Sequence, residues 1–184
     1  MPRYVAFLRA INVGGHVVTM DRLRSLCERM GLANVGTFIA SGNVIFESPA
    51  RSAKALEAKI AADLRQNLGY DVATFLRTDE EVAEIAAYRP FPPRALAAAA
   101  GSRLYVGFLA TTLGPAPKKA ALALATQVDE LHLHGRELYW LCHVKFKDAE
   151  FTPARLEKTL GTQATFRNIT TVKKIAAKYA PAGG

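Results

Sequence analysis

The feature that most constrains this chain is the order in which helical and strand periodicities alternate along its first 77 residues. Residues 4–11 form a short, largely apolar run suited to a strand, and it ends in a polar loop from Asn12 to Gly15. Thr19 then precedes Met20, Leu23, Cys27 and Met30, whose three-to-four spacing marks one face of a helix that Gly31 stops. Residues 35–40 and 44–46 read as paired strands around Ser41, Gly42 and Asn43, because Gly and Asn accept the dihedrals of a tight turn. After Ser52, Leu56, Ile60, Leu64 and Leu68 recur at helical spacing up to Gly69, and residues 71–77 supply another strand. This β-α-β-β-α-β order is that of a ferredoxin-like unit. Thr78-Asp79-Glu80-Glu81 then has the spacing of a capping box and predicts a short helix ending near Ala87.

Prolines at 90, 92 and 93 break the helical pattern and place a division between units covering residues 1–94 and 95–184. The alanine run from Ala97 to Ala100 has the propensity to extend a short helix, so it need not be a flexible linker. Beyond it, residues 103–109 read as a strand and 115–125 as a helix. Residues 132–134 and 137–141 read as a hairpin turning at Gly135-Arg136. With a two-residue turn, Leu131 and Leu133 share a face with Leu138 and Trp140, while His132 and His134 lie opposite, beside Tyr139 and Glu137. Thr152-Pro153 opens a helix that Gly161 closes, and residues 171–179 form a last helix. The expected architecture is α+β: two ferredoxin-like halves with mainly antiparallel sheets.

Half of the 184 residues are hydrophobic, enough to bury a real core. Cys27 falls on the apolar side of its helix and is expected to be a buried thiol. The start lacks a hydrophobic secretion segment, and no apolar run approaches the roughly 20 residues that span a bilayer. A cytoplasmic protein with no membrane partner is therefore expected. Twenty-four basic and sixteen acidic residues give a net charge of +8, and residues 145–178 alone carry eight basic and three acidic side chains. Such a field attracts phosphates, nucleic acid or anionic metabolites, and it also serves plain solubility.

Two polar clusters carry the candidate chemistry. Arg9 offers five donors, Asn12 both donates and accepts, and Gly14-Gly15 permit close backbone approach to a ligand. The bland reading of the same residues is a difficult loop tied to the fold. Ser41-Gly42-Asn43 reads as a hairpin turn, or as a turn projecting Ser41 and Asn43 toward the Arg9 loop. In the run Thr165-Phe166-Arg167-Asn168-Ile169-Thr170, Thr170 is placed to cap the final helix, with Lys173 on its first turn. Arg167, Asn168 and Lys173 could then surround an anion held by helix amides, or simply pin the helix to the sheet. The glycine pair lacks a Walker lysine and is no dinucleotide fingerprint, so no nucleotide cofactor is expected. No Gly-x-Ser-x-Gly elbow surrounds Ser41. His132, His134, His143 and Glu137 lack a specific zinc spacing, so no metal site is expected. The aromatics are dispersed, whereas an RRM-like surface needs a specific pair of exposed aromatics on central strands; Phe108 and Tyr139 lie in candidate strands, and the sequence does not assign their faces.

At these clusters the chain resembles the conserved bacterial domain-of-unknown-function family 1697. The resemblance rests on Leu8-Arg-Ala-Ile-Asn-Val-Gly-Gly15, Thr37-Phe-Ile-Ala-Ser-Gly-Asn-Val-Ile-Phe46, Pro90-Phe91 and Thr165-Phe-Arg-Asn-Ile-Thr-Thr-Val-Lys-Lys174. It implies a two-part α+β protein with ferredoxin-like elements, and it implies no reaction or substrate. Ala10 stands where the family's usual run has glycine, and Ile169 where it has tryptophan. The positions matched are Arg9, Asn12, Gly14, Gly15, Ser41, Gly42, Asn43, Thr165, Arg167, Asn168, Thr170 and Lys173. The leading expectation is a protein that binds a phosphate-bearing ligand or nucleic acid through basic and Asn-rich loops. An enzyme acting on a small anionic substrate and a structural or homodimeric interaction protein are the alternatives.

Overall fold

The computed structural model describes residues 1–40, 42–98, 103–179 and 181. The strands and helices assemble into two four-stranded antiparallel sheets flanked by helices, in an arrangement resembling the ferredoxin-like one. The first comprises β1 (Arg3–Leu8), β2 (Ala33–Thr37), β3 (Asn43–Glu47) and β4 (Thr74–Thr78), in the order β2-β3-β1-β4. Its helices are α1 (Met20–Arg29) and α2 (Ala53–Leu68), followed by α3 (Asp79–Ala87). After α4 (Pro93–Ala98), the second sheet comprises β5 (Leu104–Leu109), β6 (Asp129–His134), β7 (Glu137–Cys142) and β8 (Ala164–Asn168). Its order is β6-β7-β5-β8, the first order over again. Its helices are α5 (Pro115–Leu122) and α6 (Pro153–Leu160), with a 3₁₀ turn at Phe146–Asp148, and α7 (Ile169–Lys178) follows β8. No described helix is long and apolar enough to cross a membrane.

The ends of α2 and α6 and the start of α3 form where their capping residues predict. Ser52 accepts from the amide of Ala55 to open α2, and Gly69 closes it at φ 83°, a left-handed conformation that costs glycine little. Thr152 and Gly161 do the same for α6. The Thr78 amide donates to Glu81 Oε2 at 2.9 Å while the Glu81 amide donates to Thr78 Oγ1 at 3.1 Å, a reciprocal capping box.

Burial explains the strand sequences. Tyr4, Ala6 and Leu8 pack in one core with Leu23, Leu26 and Cys27 of α1 and Leu56, Ile60 and Leu64 of α2. Val5 and Phe7, on the opposite face, are fully buried as well, so β1 reads as a continuous apolar run rather than an alternation. In the second sheet Leu109, Leu138, Trp140, Cys142 and Ala164 pack with Ala121, Phe151 and Leu156. The hairpin register places Leu131 opposite Trp140 and His132 opposite Tyr139, as its two-residue turn requires. Burial pushes the Cys27 thiol up to about 12, with Glu28 adding to the effect, so this cysteine is inert at neutral pH.

Several elements differ from the sequence reading. β8 is a strand that the polar run at 164–168 conceals, because its inward side chains on one face are Thr165 and Arg167. The last helix begins at Ile169 rather than residue 171, so Lys173 sits on its second turn. β1 stops at Leu8, since Ala10 turns the chain with φ 56°. Packing passes from one unit to the other between Ala83 and Glu84. The reason is that Tyr88 and Phe91 make their ring contacts with His132. The chain rejoins the first unit at Ile175.

Gly107 of β5 lies opposite Phe166 of β8, and a Cβ there would meet that ring at 2.6 Å. Gly107→Ala is therefore expected to cost about 1–3 kcal/mol in chemical denaturation through overpacking. Adding Phe166→Leu should recover part of that loss, and full stability of the single variant would contradict the close packing.

Candidate functional site

Two loops of the first unit meet at the ends of β1, β2 and β3. The Leu8 amide donates to Gly42 O at 2.8 Å, and the Arg9 amide donates to Ala73 O at 2.9 Å. Asn12 clasps the loops with both ends of its amide: Nδ2 donates to Ala40 O at 3.3 Å, and Oδ1 accepts from the Val18 amide at 2.7 Å. Asn43 is fully buried, its Nδ2 donating to Phe38 O at 2.8 Å while the Phe38 amide donates back to Asn43 O. Tyr70 donates its hydroxyl to Ile11 O at 2.9 Å and stacks against His16 at 3.9 Å. A Cβ on Gly42 would lie 2.9 Å from Ile11, so only glycine fits at this crossing.

Backbone strain is concentrated in the same place. Ala10 and Ile39 hold φ values of 56° and 60°, and a β-branched side chain in the left-handed region is unusual and costly. Gly14 and Gly15 also have positive φ, with nothing within 4 Å of where a Cβ would be, so they present open backbone to solvent. Val13, Val17 and Ile39 are 54%, 78% and 53% exposed, a set of apolar side chains that the loops hold outward. Arg9 is half-buried. Ser41 lies outside the described residues.

Arg167, Asn168 and Lys173 belong to the other unit. Arg167 is buried, with Nη1 donating to Thr165 Oγ1 and Phe166 O, both at 2.9 Å. Burial lowers its guanidinium to about 10, which leaves it cationic at neutral pH. Arg77 of β4 makes the same kind of bond, Nη1 to Leu76 O at 2.8 Å. The two arginines stand in equivalent registers, opposite Val5 and Val106. Asn168, rather than Thr170, supplies the side-chain cap at the start of α7: its Oδ1 accepts from the Thr170 amide at 2.9 Å. That amide is thereby satisfied within the chain, which removes one of the helix donors expected to hold an anion. Lys173 is exposed on α7.

The histidines of β6 hold a neighbouring tyrosine. The Tyr88 hydroxyl lies 2.9 Å from His132 Nε2, and its ring stacks on His134 at 4.0 Å. Burial, followed by the positive charge of His134 and Lys118, holds His132 below the usual imidazole value. No group of three His, Cys, Asp or Glu side chains among the described residues could hold a metal ion.

A residue outside the sequence reading organises the second unit. Asp129 is fully buried and accepts four hydrogen bonds: from Trp140 Nε1 at 2.8 Å, Thr126 Oγ1 at 2.9 Å, the Phe151 amide at 2.8 Å and the Glu150 amide at 3.0 Å. Burial alone would raise its pKa, but the bonds from Phe151, Trp140, Thr126 and Glu150 outweigh that and hold it below the usual carboxylate range. The sequence signal was Thr126 three residues before an acid, the spacing of a local side-chain turn.

The family model described as "Protein of unknown function (DUF1697)" matches residues 1–139. Conserved bacterial protein SP0830 from Streptococcus pneumoniae has a similar structure, with a TM-score of 0.78 and 24% identity over 98% of this chain and 99% of that one. At that identity the likeness shows the fold alone. No curated protein matches.

Two outcomes are expected. Ala10→Gly relieves a left-handed alanine and should stabilise the protein by about 1 kcal/mol, visible as a raised melting temperature; an unchanged or lower value would contradict strain at this position. Asp129→Asn leaves buried donors without a carboxylate and should cost about 3 kcal/mol, followed by fluorescence of Trp140. Because the Asp129 pKa is depressed by folding, its stabilisation is present above the usual carboxylate pKa and lost as pH falls through the lowered value. The variant should therefore show a weaker loss of stability in acid than the parent.

Proposed function

We propose that this chain, which belongs to the family described as "Protein of unknown function (DUF1697)", binds a phosphate-bearing ligand, nucleic acid foremost, through its basic surface and Asn-bearing loops. The observation that carries this reading is where the charge sits. Among the described residues, burial removes two cations, Arg77 and Arg167, and two anions, Asp129 and Glu137. The excess of +8 is therefore all outside the core, where it acts on polyanions. Lys145, Lys147, Lys173, Lys174 and Lys178 are all exposed. The strained Arg9 to Val18 loop adds open glycine backbone.

An enzyme would need an acid-base pair beside these loops. His16 is the one imidazole of residues 9–18, and it is stacked on Tyr70. Exposed Val13, Val17 and Ile39 favour a second reading, self-association through the same loops. We further take both halves to be ferredoxin-like units related by duplication, a reading supported by their identical strand order and by the matched arginines 77 and 167.

The test is fluorescence anisotropy with labelled short RNA, DNA and mononucleotides at several salt concentrations. Binding should weaken about tenfold between about 50 and 200 mM salt, the loss expected when roughly two phosphates are neutralised. Absence of binding by folded protein at low ionic strength would overturn the proposal, and a concentration-dependent size change without binding would favour self-association.

A further inference from the structure

We infer that the turn Lys145-Phe146-Lys147 is a base-stacking contact for single-stranded nucleic acid. The inference rests on the binding reading above and assigns it a place and a class of partner. Phe146 is 60% exposed, the one aromatic among the large apolar side chains left outside the core of the described residues. It opens a 3₁₀ turn, and residues 145–148 are all exposed.

The ring stands on a fixed base. It meets Tyr105 at 5.8 Å and 63°, and Trp140 at 5.7 Å and 51°. Neither contact is a parallel stack, and the side chain stays 60% exposed with both neighbours in place. Tyr105 and Trp140 are themselves stacked at 4.8 Å. The turn is closed by the Asp148 amide donating to Lys145 O and the Ala149 amide donating to Phe146 O. Asp129 holds the amides of Glu150 and Phe151 just beyond it, and Arg103 Nη1 donates to His143 O just before it. The contact is thus built before any ligand arrives, which lowers the cost of binding.

Charge identifies the partner. An ammonium group precedes and follows the aromatic ring, which suits a base flanked by phosphates. Asp148 and Glu150 are the exposed acids of this segment, and Glu130 is engaged with His143. A base can stack on Phe146 only when unstacked from its neighbours, so a single strand fits and a duplex does not. Stacking tolerates any base, so the contact carries little sequence preference.

The test is anisotropy titration of a fluorescein-labelled twelve-nucleotide oligothymidylate and of the matching duplex, with circular dichroism to confirm folding. Phe146→Leu keeps apolar bulk and removes the aromatic face; it should weaken single-strand binding about fivefold or more while leaving the salt slope unchanged. Phe146→Tyr should bind as the parent does. Replacing Lys145 and Lys147 together by Ala should weaken binding and flatten the salt slope by between about one and two. If the parent binds and Phe146→Leu binds equally, the inference fails while the general binding reading stands. If the parent binds neither oligonucleotide nor mononucleotide at low salt, both fail. Equal dependence on Phe146 for the duplex would overturn it, as would Phe146-dependent binding of phosphatidylserine–phosphatidylcholine vesicles with oligonucleotide binding unaffected.

Discussion

A carboxylate survives in a protein interior only if donors replace the water it has lost, and Asp129 meets that condition with four. Those donors come from the turn before β6, from β7 and from the segment leading into α6. One side chain therefore fixes the start of an edge strand, the orientation of the lone tryptophan and the path of the chain beyond the 3₁₀ turn. The charge is costly to bury and each donor would be costly to orphan, so the group acts as a unit. Its position decides what surface residues 145–148 present.

The first unit solves a similar problem with amides and strain. Asn12 and Asn43 use their side chains to close loops, and Gly42 permits the close crossing beneath Ile11. The cost is concentrated at Ala10 and Ile39, which remain left-handed because hydrogen bonds on either side determine their conformation. Glycine would be the residue with least strain at the first of these positions. Open glycine backbone and outward apolar side chains on the same loops are what a recognition surface needs, independently of any reaction.

Much of the fold was legible because caps and periodicity agree. The limits of α2 follow from Ser52 and Gly69, those of α6 from Thr152 and Gly161, and the hairpin register from a two-residue turn. β8 was not legible, because Thr165 and Arg167 face inward and imitate a loop. The same concealment affected the candidate residues. Arg167 and Asn168 look like ligand groups in sequence, yet one bonds its own strand and the other caps α7. Asp129 looks like an ordinary surface acid until its donors are placed. Phe146 passed as one of several dispersed aromatics, since exposure depends on tertiary packing that periodicity does not encode.

On the proposed reading, a basic surface binds single-stranded nucleic acid with Phe146 as its stacking contact. Amide chemical-shift mapping of the whole chain during titration with an unlabelled oligothymidylate tests it most directly. Saturable shifts centred on residues 145–149 are expected, with the Trp140 indole signal moving as its neighbouring ring is engaged. Shifts confined to residues 9–18 and 38–43, or none at low salt, would contradict it.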